Sequence, residues 1–530
     1  MSRPGRLACG LVPIACAVAG CAASTGSSPG TGTPGPDGEP GVAIVIDGWP
    51  ADWGRDATGE PGTVAVRDDA GAIYLSLALA SPRNIQGLEG ALLVVLDADG
   101  DPSSGASAFG VEGADLVLSF TMWRGPGRAD DGTTWWRPDP ADPERVVPPR
   151  TSGDPDAIGL WFEPRHTSAW VELRLARRGP DPDWWSGAAF GGRLVAVDRD
   201  GRVTPASDVF RHTLETTAAD APVASGDPAR ATGTDFRLVS WNVSRVRVAT
   251  DPAPARRILA ALSPDLVLLD EVPPNLGPDD MLAILPGGRE AGWNVHVGTS
   301  GSRQRGAIAF RGDVVPAPEF ARVPYPAGVP DLDPGSTEPG IAEVALNMAG
   351  SGVPVTGAWV DPGGQPFLAV TLDLVCCGNS ATSIQDTIRR LEAQAINRAA
   401  RAALAAGPPR GGGAPHVIVG GDFNLVGSRR PLADLAAGLG SEGSALSSVY
   451  ALQLDGRSSA TWESSGVPFP PGQLDYVLHT AGALRVRRAF VFEARDVEAG
   501  RRRSLGLRED DSDRASDHRP IVVDFAVVPP

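Results

Sequence analysis

The sequence predicts two unlike folded regions, an all-β sandwich over about residues 41–215 and an α/β domain over 235–530. Three observations carry this. In the first region, apolar runs at 73–79, 91–96, 116–120 and 170–175 are separated by turn residues, and nothing has helical spacing. Beyond 235, short apolar strands interleave with stretches of three- and four-residue apolar spacing. Gly/Pro-rich connectors, 22–40 and 216–234, stand before each region. A chain of 530 residues is also too long for a single core.

Residues 1–21 read as a targeting segment. Arg3 and Arg6 give a basic start, 7–18 are largely apolar, and Val18-Ala19-Gly20-Cys21 is a small-residue end. That ending resembles the bacterial lipoprotein box, which implies acylation of Cys21, a membrane anchor, and a protein held outside the cytoplasm on the bacterial cell envelope. Residues 22–40 then read as a disordered tether.

In the first region, Asp47, Trp49 and Trp53 followed by Asp97-Ala-Asp99-Gly-Asp101 resemble family-nine carbohydrate-binding modules. Asp97, Asp99 and Asp101 alternate along a turn, a pattern that gathers oxygen ligands for Ca²⁺; an acidic turn without an ion is the alternative. Nine of the 13 Trp fall here, including Trp135-Trp136 and Trp184-Trp185. Exposed indoles would stack on a glycan, whereas buried ones would pack the sandwich.

The second region opens with a strand from Phe236, a helix over 252–262 and a strand from Leu266. Arg305–Phe310 reads as a further strand, and 382–406 as a long helix with Ile384, Ile388, Leu391, Ala395 and Ile396 on one face.

Composition excludes several chemistries. There is no lysine, so no Schiff base or lysine nucleophile. The formal charge is −17, of which roughly −5 lies after residue 230. No basic stripe with interleaved aromatics suits strong duplex binding. Besides Cys21, the mature chain keeps only Cys376-Cys377, which excludes a disulfide framework or a Cys-rich zinc site. That vicinal pair reads either as two space-filling thiols or as a strained, reducible disulfide.

Five short islands carry the chemistry, in the order Ser-Trp-Asn242-Val, Leu-Leu-Asp-Glu271-Val, Gly-Asp422-Phe-Asn424, Gln-Leu-Asp475-Tyr and Ser-Asp517-His518-Arg. They adjoin short apolar runs, as side chains delivered at the ends of buried strands do. Together they resemble the endonuclease/exonuclease/phosphatase family, which implies a four-layer α/β sandwich of two mixed sheets flanked by helices. It also implies hydrolysis of phosphate esters with Mg²⁺ or Mn²⁺. By that resemblance Glu271 is the main metal ligand, supported by Asn242 and Asp517. Asp422 positions and deprotonates water or protonates the leaving group, and Asn424 donates its amide to a phosphoryl oxygen. Asp475 orients His518, which stabilises or relays charge at the phosphate.

The sequence departs from the family at Asp373. Many members have a second histidine at the matching position, and a carboxylate cannot supply a cationic donor there; Asp373 stays a candidate catalytic residue, to bind a second metal or to donate if the acidic cluster raises its pKa. Arg303, Arg305, Arg389 and Arg501–Arg503 are candidates to supply the missing positive charge. The expected function is that of a membrane-anchored, extracytoplasmic phosphodiesterase or nuclease acting on nucleic acid or a phospholipid headgroup. The alternative is a non-catalytic glycan-binding lipoprotein whose phosphoesterase domain is retired.

Overall fold

The computed structural model describes residues 44–528, except 59, 88–89, 127, 179–183, 216–224 and 410–415. Cys21, the signal segment and the 22–40 tether lie outside the described residues.

Residues 64–213 are rich in β-structure. A four-stranded sheet runs in the order Val64–Asp68, Ala72–Arg83, Ser168–Ala176, Trp161–Glu163. A second sheet runs Val203–Pro205, Ala189–Val197, Ala91–Asp97, Leu116–Ser119, Thr134–Trp136, and Phe210–Thr213 also pairs with Ala189–Val197. Every pairing within these two sheets is antiparallel. Alternation explains the core between them. Ile73, Leu75, Leu77, Val171, Leu173 and Leu175 of one sheet meet Leu92, Val94, Leu96, Leu116 and Leu118 of the other.

Trp184 and Trp185 belong to that core, and Trp136 is buried on the outer face of the second sheet. Trp135 stands edge-on to Trp184 at 5.2 Å. The two Trp pairs are therefore packing residues. Trp49, 52% exposed, has the Arg429 guanidinium over its ring at 5.3 Å.

Residues 236–527 form two mixed sheets. The first has seven strands, in the order Asn294–Val297, Arg305–Phe310, Leu266–Val272, Phe236–Asn242, Ile521–Val527, Leu484–Val491, Leu452–Gln453. The second has six, in the order Val315–Pro316, Val355–Val360, Phe367–Asp373, His416–Asp422, Asp475–His479, Ser447–Ser448. Leu238, Leu268 and Ile308 of the first share one core with Ala369, Ile418 and Val477 of the second. On its other face the first sheet packs Val239 and Val267 against Ile258, Leu259 and Leu262 of the helix Ala253–Leu262. The second packs Val370 and Val419 against Ile396, Ala400 and Ala403 of the helix Ile384–Ala406, whose N-terminus is capped by the Ser383 side chain. No helix among the described residues is long and apolar enough to cross a membrane.

Register sets where the chemistry goes. The parallel neighbours Phe236–Asn242 and Leu266–Val272 end side by side, with Asn242 opposite Asp270. In the second sheet Asp373 lies opposite Asp422 and Asp422 opposite Asp475, a row of three carboxylates across adjacent strands. The β-rich region abuts this face. Thr167 donates from its backbone N and Oγ1 to the Gly427 carbonyl at 2.9 and 2.8 Å. Thr133 N reaches the Pro468 carbonyl at 2.6 Å, Asn379 Nδ2 donates to Asp131 at 3.1 Å, and Asn84 Nδ2 donates to the Val426 carbonyl.

Candidate active site

A cavity of about 510 Å³ opens at this end, lined by Glu271, Asp373, Asp422, Asn424, Asp517 and His518 among others. Thus six of the eight residues assigned from the sequence to catalysis or metal binding share one wall. Asn242 and Asp475 are buried and reach the site through their neighbours.

His518 is the most constrained group. Its backbone N donates to Ser516 Oγ at 3.0 Å, and its carbonyl accepts from Trp241 Nε1 at 3.0 Å. Nδ1 sits 2.8 Å from Asp475 Oδ2 and Nε2 3.8 Å from Asp422 Oδ2. Burial alone would disfavour the imidazolium, but Asp475, Asp422 and Asp517 outweigh it and raise the pKa to about 10. Nε2 is turned toward Asp422.

Glu271 reaches the cavity through a backbone irregularity. The register between Leu266–Val272 and Arg305–Phe310 shifts between Leu269 and Val272, and Glu271 has φ of +54°. Its Oε2 accepts from Arg245 N at 3.3 Å, and the Arg245 guanidinium bridges Glu271 and Glu343 at 3.6 Å each. Asn424 is likewise left-handed, with φ of +49°. Its backbone N donates to Asp422 Oδ1 at 2.8 Å and its amide to the Leu374 carbonyl at 2.9 Å. Two hydrogen bonds thus hold the loop that carries it.

Sequence reasoning missed Asp270. It is 1% exposed, and neither carboxylate oxygen has a hydrogen-bond partner. Burial first, then the charges of Asp475 and Asp422, push its pKa well above the carboxylate range. Asp373 is pushed the same way by burial and then by Glu271 and Asp422, and it accepts a hydrogen bond from Gln304 Nε2. Asp422 also rises, mainly by burial and against the pull of His518. An ordinary alternating strand would send Glu271 to the face opposite Asp270; the irregularity turns Glu271 into the cavity, which Asp270 does not itself line. A strong apolar run ending in two adjacent acids was the available signal.

These side chains fit a hard divalent cation. The donors are oxygens, and both Asp270 oxygens and Asp475 Oδ1 are buried without hydrogen-bond partners.

Of the arginines expected to supply positive charge, none lines the cavity. Arg389 donates to the Val375 and Cys377 carbonyls, Arg305 to those of Pro274 and Leu276, and Arg501 pairs with Asp227. The lining cations are His518, Arg245 and Arg165, the last from the β-rich region. Cys376 and Cys377 line the rim as free thiols, with Cys377 at φ of +71°.

Away from this cavity, the acidic turn differs from expectation in one member. Oxygens of Asp97, Asp99 and Asp115 lie within 4.8 Å of one another. Asp101 instead turns to solvent, where its Oδ1 accepts from Ser103 N and Oγ at 2.9 and 2.6 Å. This local cap takes Asp101 out of the set, and Asp115 enters from a neighbouring strand edge.

Several solved structures resemble the chain at low identity. The zebrafish (D. rerio) TDP2 complexed with a single-strand DNA product is 16% identical, covering 55% of this chain and 98% of that one, with a TM-score of 0.32. The human nocturnin catalytic domain with bound sulfate is 16% identical, covering 57% and 97%, with a TM-score of 0.34. The 3′ phosphatase NExo from Neisseria is 19% identical, covering 55% and 99%, with a TM-score of 0.32. A search of curated proteins gave no match. The endonuclease/exonuclease/phosphatase family matches residues 239–518, more than half of the sequence and the stretch that holds all five islands. The chain belongs to the endonuclease/exonuclease/phosphatase family.

Proposed function

We propose that residues 235–530 are a four-layer α/β phosphoesterase that hydrolyses a phosphodiester with Mg²⁺ or Mn²⁺. The carrying observation is His518, fixed by Asp475 at 2.8 Å and facing Asp422 beside buried carboxylates that lack partners. Glu271, Asp270, Asn242 and Asp517 would hold the ion, which supplies Lewis acidity and positive charge toward a phosphoryl oxygen. The remaining work belongs to the chain. Asp475 accepts the Nδ1 proton and fixes the ring, so that Nε2–H points to a phosphoryl oxygen. Asp422, 3.8 Å from His518 Nε2, is placed to accept a proton from the attacking water. Asn424 has a second amide hydrogen to offer the same phosphoryl group.

Full-length protein with Mg²⁺, Mn²⁺ or Ca²⁺ should be assayed against bis-nitrophenyl phosphate, DNA, RNA and sphingomyelin. Chelation should stop hydrolysis, and Glu271→Gln should lower metal affinity and rate together. Undiminished turnover in chelator would refute the metal-dependent reading.

Two further readings accompany this one. The Val18-Ala19-Gly20-Cys21 ending supports a lipid anchor on the extracytoplasmic side of a bacterial membrane. Cys21→Ala should abolish palmitate labelling, and retained labelling would overturn it. Asp97, Asp99 and Asp115 are proposed as a Ca²⁺ site, supported by the partnerless Asp97 Oδ1. Calcium should raise the melting temperature, and Asp115→Asn should remove that rise; an equal rise in both proteins would dismiss the site.

A further inference from the structure

We propose that the active site is composite. On this reading Arg165, carried by the β-rich region, binds the substrate phosphate, and the wall it belongs to confines the enzyme to small phosphate esters or chain ends.

Arg165 is 5% exposed and lines the same cavity as His518, Asp422 and Asp373. Its Nε and Nη1 are buried with no hydrogen-bond partner, and the acid that acts on its charge, Glu163, spends its two oxygens on the backbone N–H groups of Arg165 and Gln473. Of the other two lining cations, Arg245 is engaged between Glu271 and Glu343, and His518, tied to Asp475 through Nδ1, has Nε2 alone to offer. A buried guanidinium with free donors is unfavourable unless an anion completes it. Nε and Nη1 are enclosed, so a phosphoryl group in the cavity would take its hydrogen bond from Nη2 and be held by the guanidinium charge.

Arg165 is also held in place. Its guanidinium carbon sits 4.2 Å over the Phe162 ring, and its stem packs against Gly472, where an added Cβ would come within 2.5 Å of Cδ. Its backbone N donates to Glu163 Oε2 at 3.0 Å, while Glu163 Oε1 accepts from Gln473 N at 2.6 Å. The same acid thus ties Arg165 to the segment leading into Asp475. Such a fixed cation supplies the charge that Asp373 cannot provide where many relatives carry a histidine.

Geometry sets the substrate class. Gln86 and Asp131 stand with Arg165 as a wall from the β-rich region, fastened through Asn379, Gly427 and Pro468. A cavity of about 510 Å³ is the size of a small-ligand pocket. An internal linkage of a rigid duplex would need this wall to be absent.

The inference rests on the phosphoesterase reading, so its test includes a measurement that needs no turnover. Inorganic phosphate binding to the full-length chain is followed by calorimetry, alongside KM and kcat for bis-nitrophenyl phosphate. Arg165→Met should weaken phosphate binding and raise KM at least tenfold with kcat affected less, and Arg165→Lys should recover part of both. Unchanged phosphate affinity in a folded Arg165→Met protein overturns the proposal even if hydrolysis is never seen. Loss of hydrolysis with phosphate binding intact in the wild type would instead count against the phosphoesterase reading alone. Should both variants melt below assay temperature, phenylglyoxal modification of the wild type decides: phosphate should protect Arg165 in peptide mapping, and equal labelling with and without phosphate overturns the role. Wild type should cleave the small diester and leave closed circular duplex intact; nicking at a comparable rate overturns the size limit.

Discussion

The strand Phe236–Asn242 has two ends that treat buried charge in opposite ways. Near its start, Arg237 makes a bidentate pair with Asp524 at 2.6 and 2.8 Å, and donates to the Pro228 and Leu262 carbonyls at 2.8 and 2.9 Å. Near its finish, Asn242 faces Asp270, whose two oxygens have no partner, within a crowd of further acids. Both ends are buried, so solvent does not distinguish them. The difference is satisfaction: the first end is a closed network that specifies the fold, and the second holds unspent electrostatic demand. Stability is gathered at one end of a strand, and binding capacity at the other, less than 25 Å away by strand geometry of about 3.3 Å per residue.

The largest effect should come from the unsatisfied end. His518→Ala should lower the rate by a factor on the order of 10²–10⁴, the usual worth of a positioned proton-transfer group. Steady-state kinetics paired with thermal melts check this, and a large loss of stability with activity retained would reverse the assignment of the two ends. At the closed end, Arg237→Met leaves Asp524 buried and alone, which should remove about 3–5 kcal/mol of stability in urea titrations. Adding Asp524→Leu should restore most of it, and the kcat of the folded protein should stay unchanged throughout.

Asp270→Asn sharpens the contrast. Removing one acid from the crowd should raise metal-free stability by about 1 kcal/mol, the equivalent of roughly one pKa unit, and shrink the stabilisation given by Mg²⁺ or Mn²⁺. A lower melting temperature without metal would mean that Asp270 is satisfied after all. The smallest effect concerns Glu163, which burial pushes from 4.5 to about 8. Its folded form holds a proton that the unfolded chain releases near 4.5. Its contribution is therefore complete below that pH and lost as pH rises through about 8. Glu163→Gln should flatten the fall in stability across this window, and an unaltered pH profile would show that Glu163 is ionised in the folded protein.

The sequence made the islands legible because the chemistry dictates residue types at strand ends. Asn242, Glu271, Asp422, Asn424, Asp475, Asp517 and His518 were picked through the resemblance of five islands to the family, each island beside a short apolar run. The strands and the Ile384–Ala406 helix followed from apolar spacing for the same reason. Asp270 was obscured because the alternation rule assigns it to the other face from Glu271, and the positive φ that breaks the rule leaves no mark in residue type. Arg165, Arg245 and Gln304 belong to no motif and arrive through tertiary contact. Asp101 looked equivalent to Asp97 and Asp99, but a two-residue cap onto Ser103 redirected it. The Trp pairs were visible as residues, while their burial depended on how the two sheets close.

The bonds from Asn84 and Thr167 to the carbonyls of Val426 and Gly427 fasten the turn just after Asn424 to a part of the chain more than 250 residues earlier. This has a bearing on ancestry. A catalytic cassette whose working loop is moored to a neighbour cannot be exchanged freely between proteins, because each new companion would have to supply the same moorings. The two halves of this molecule are bound to drift together, and compensating changes should accumulate along that seam.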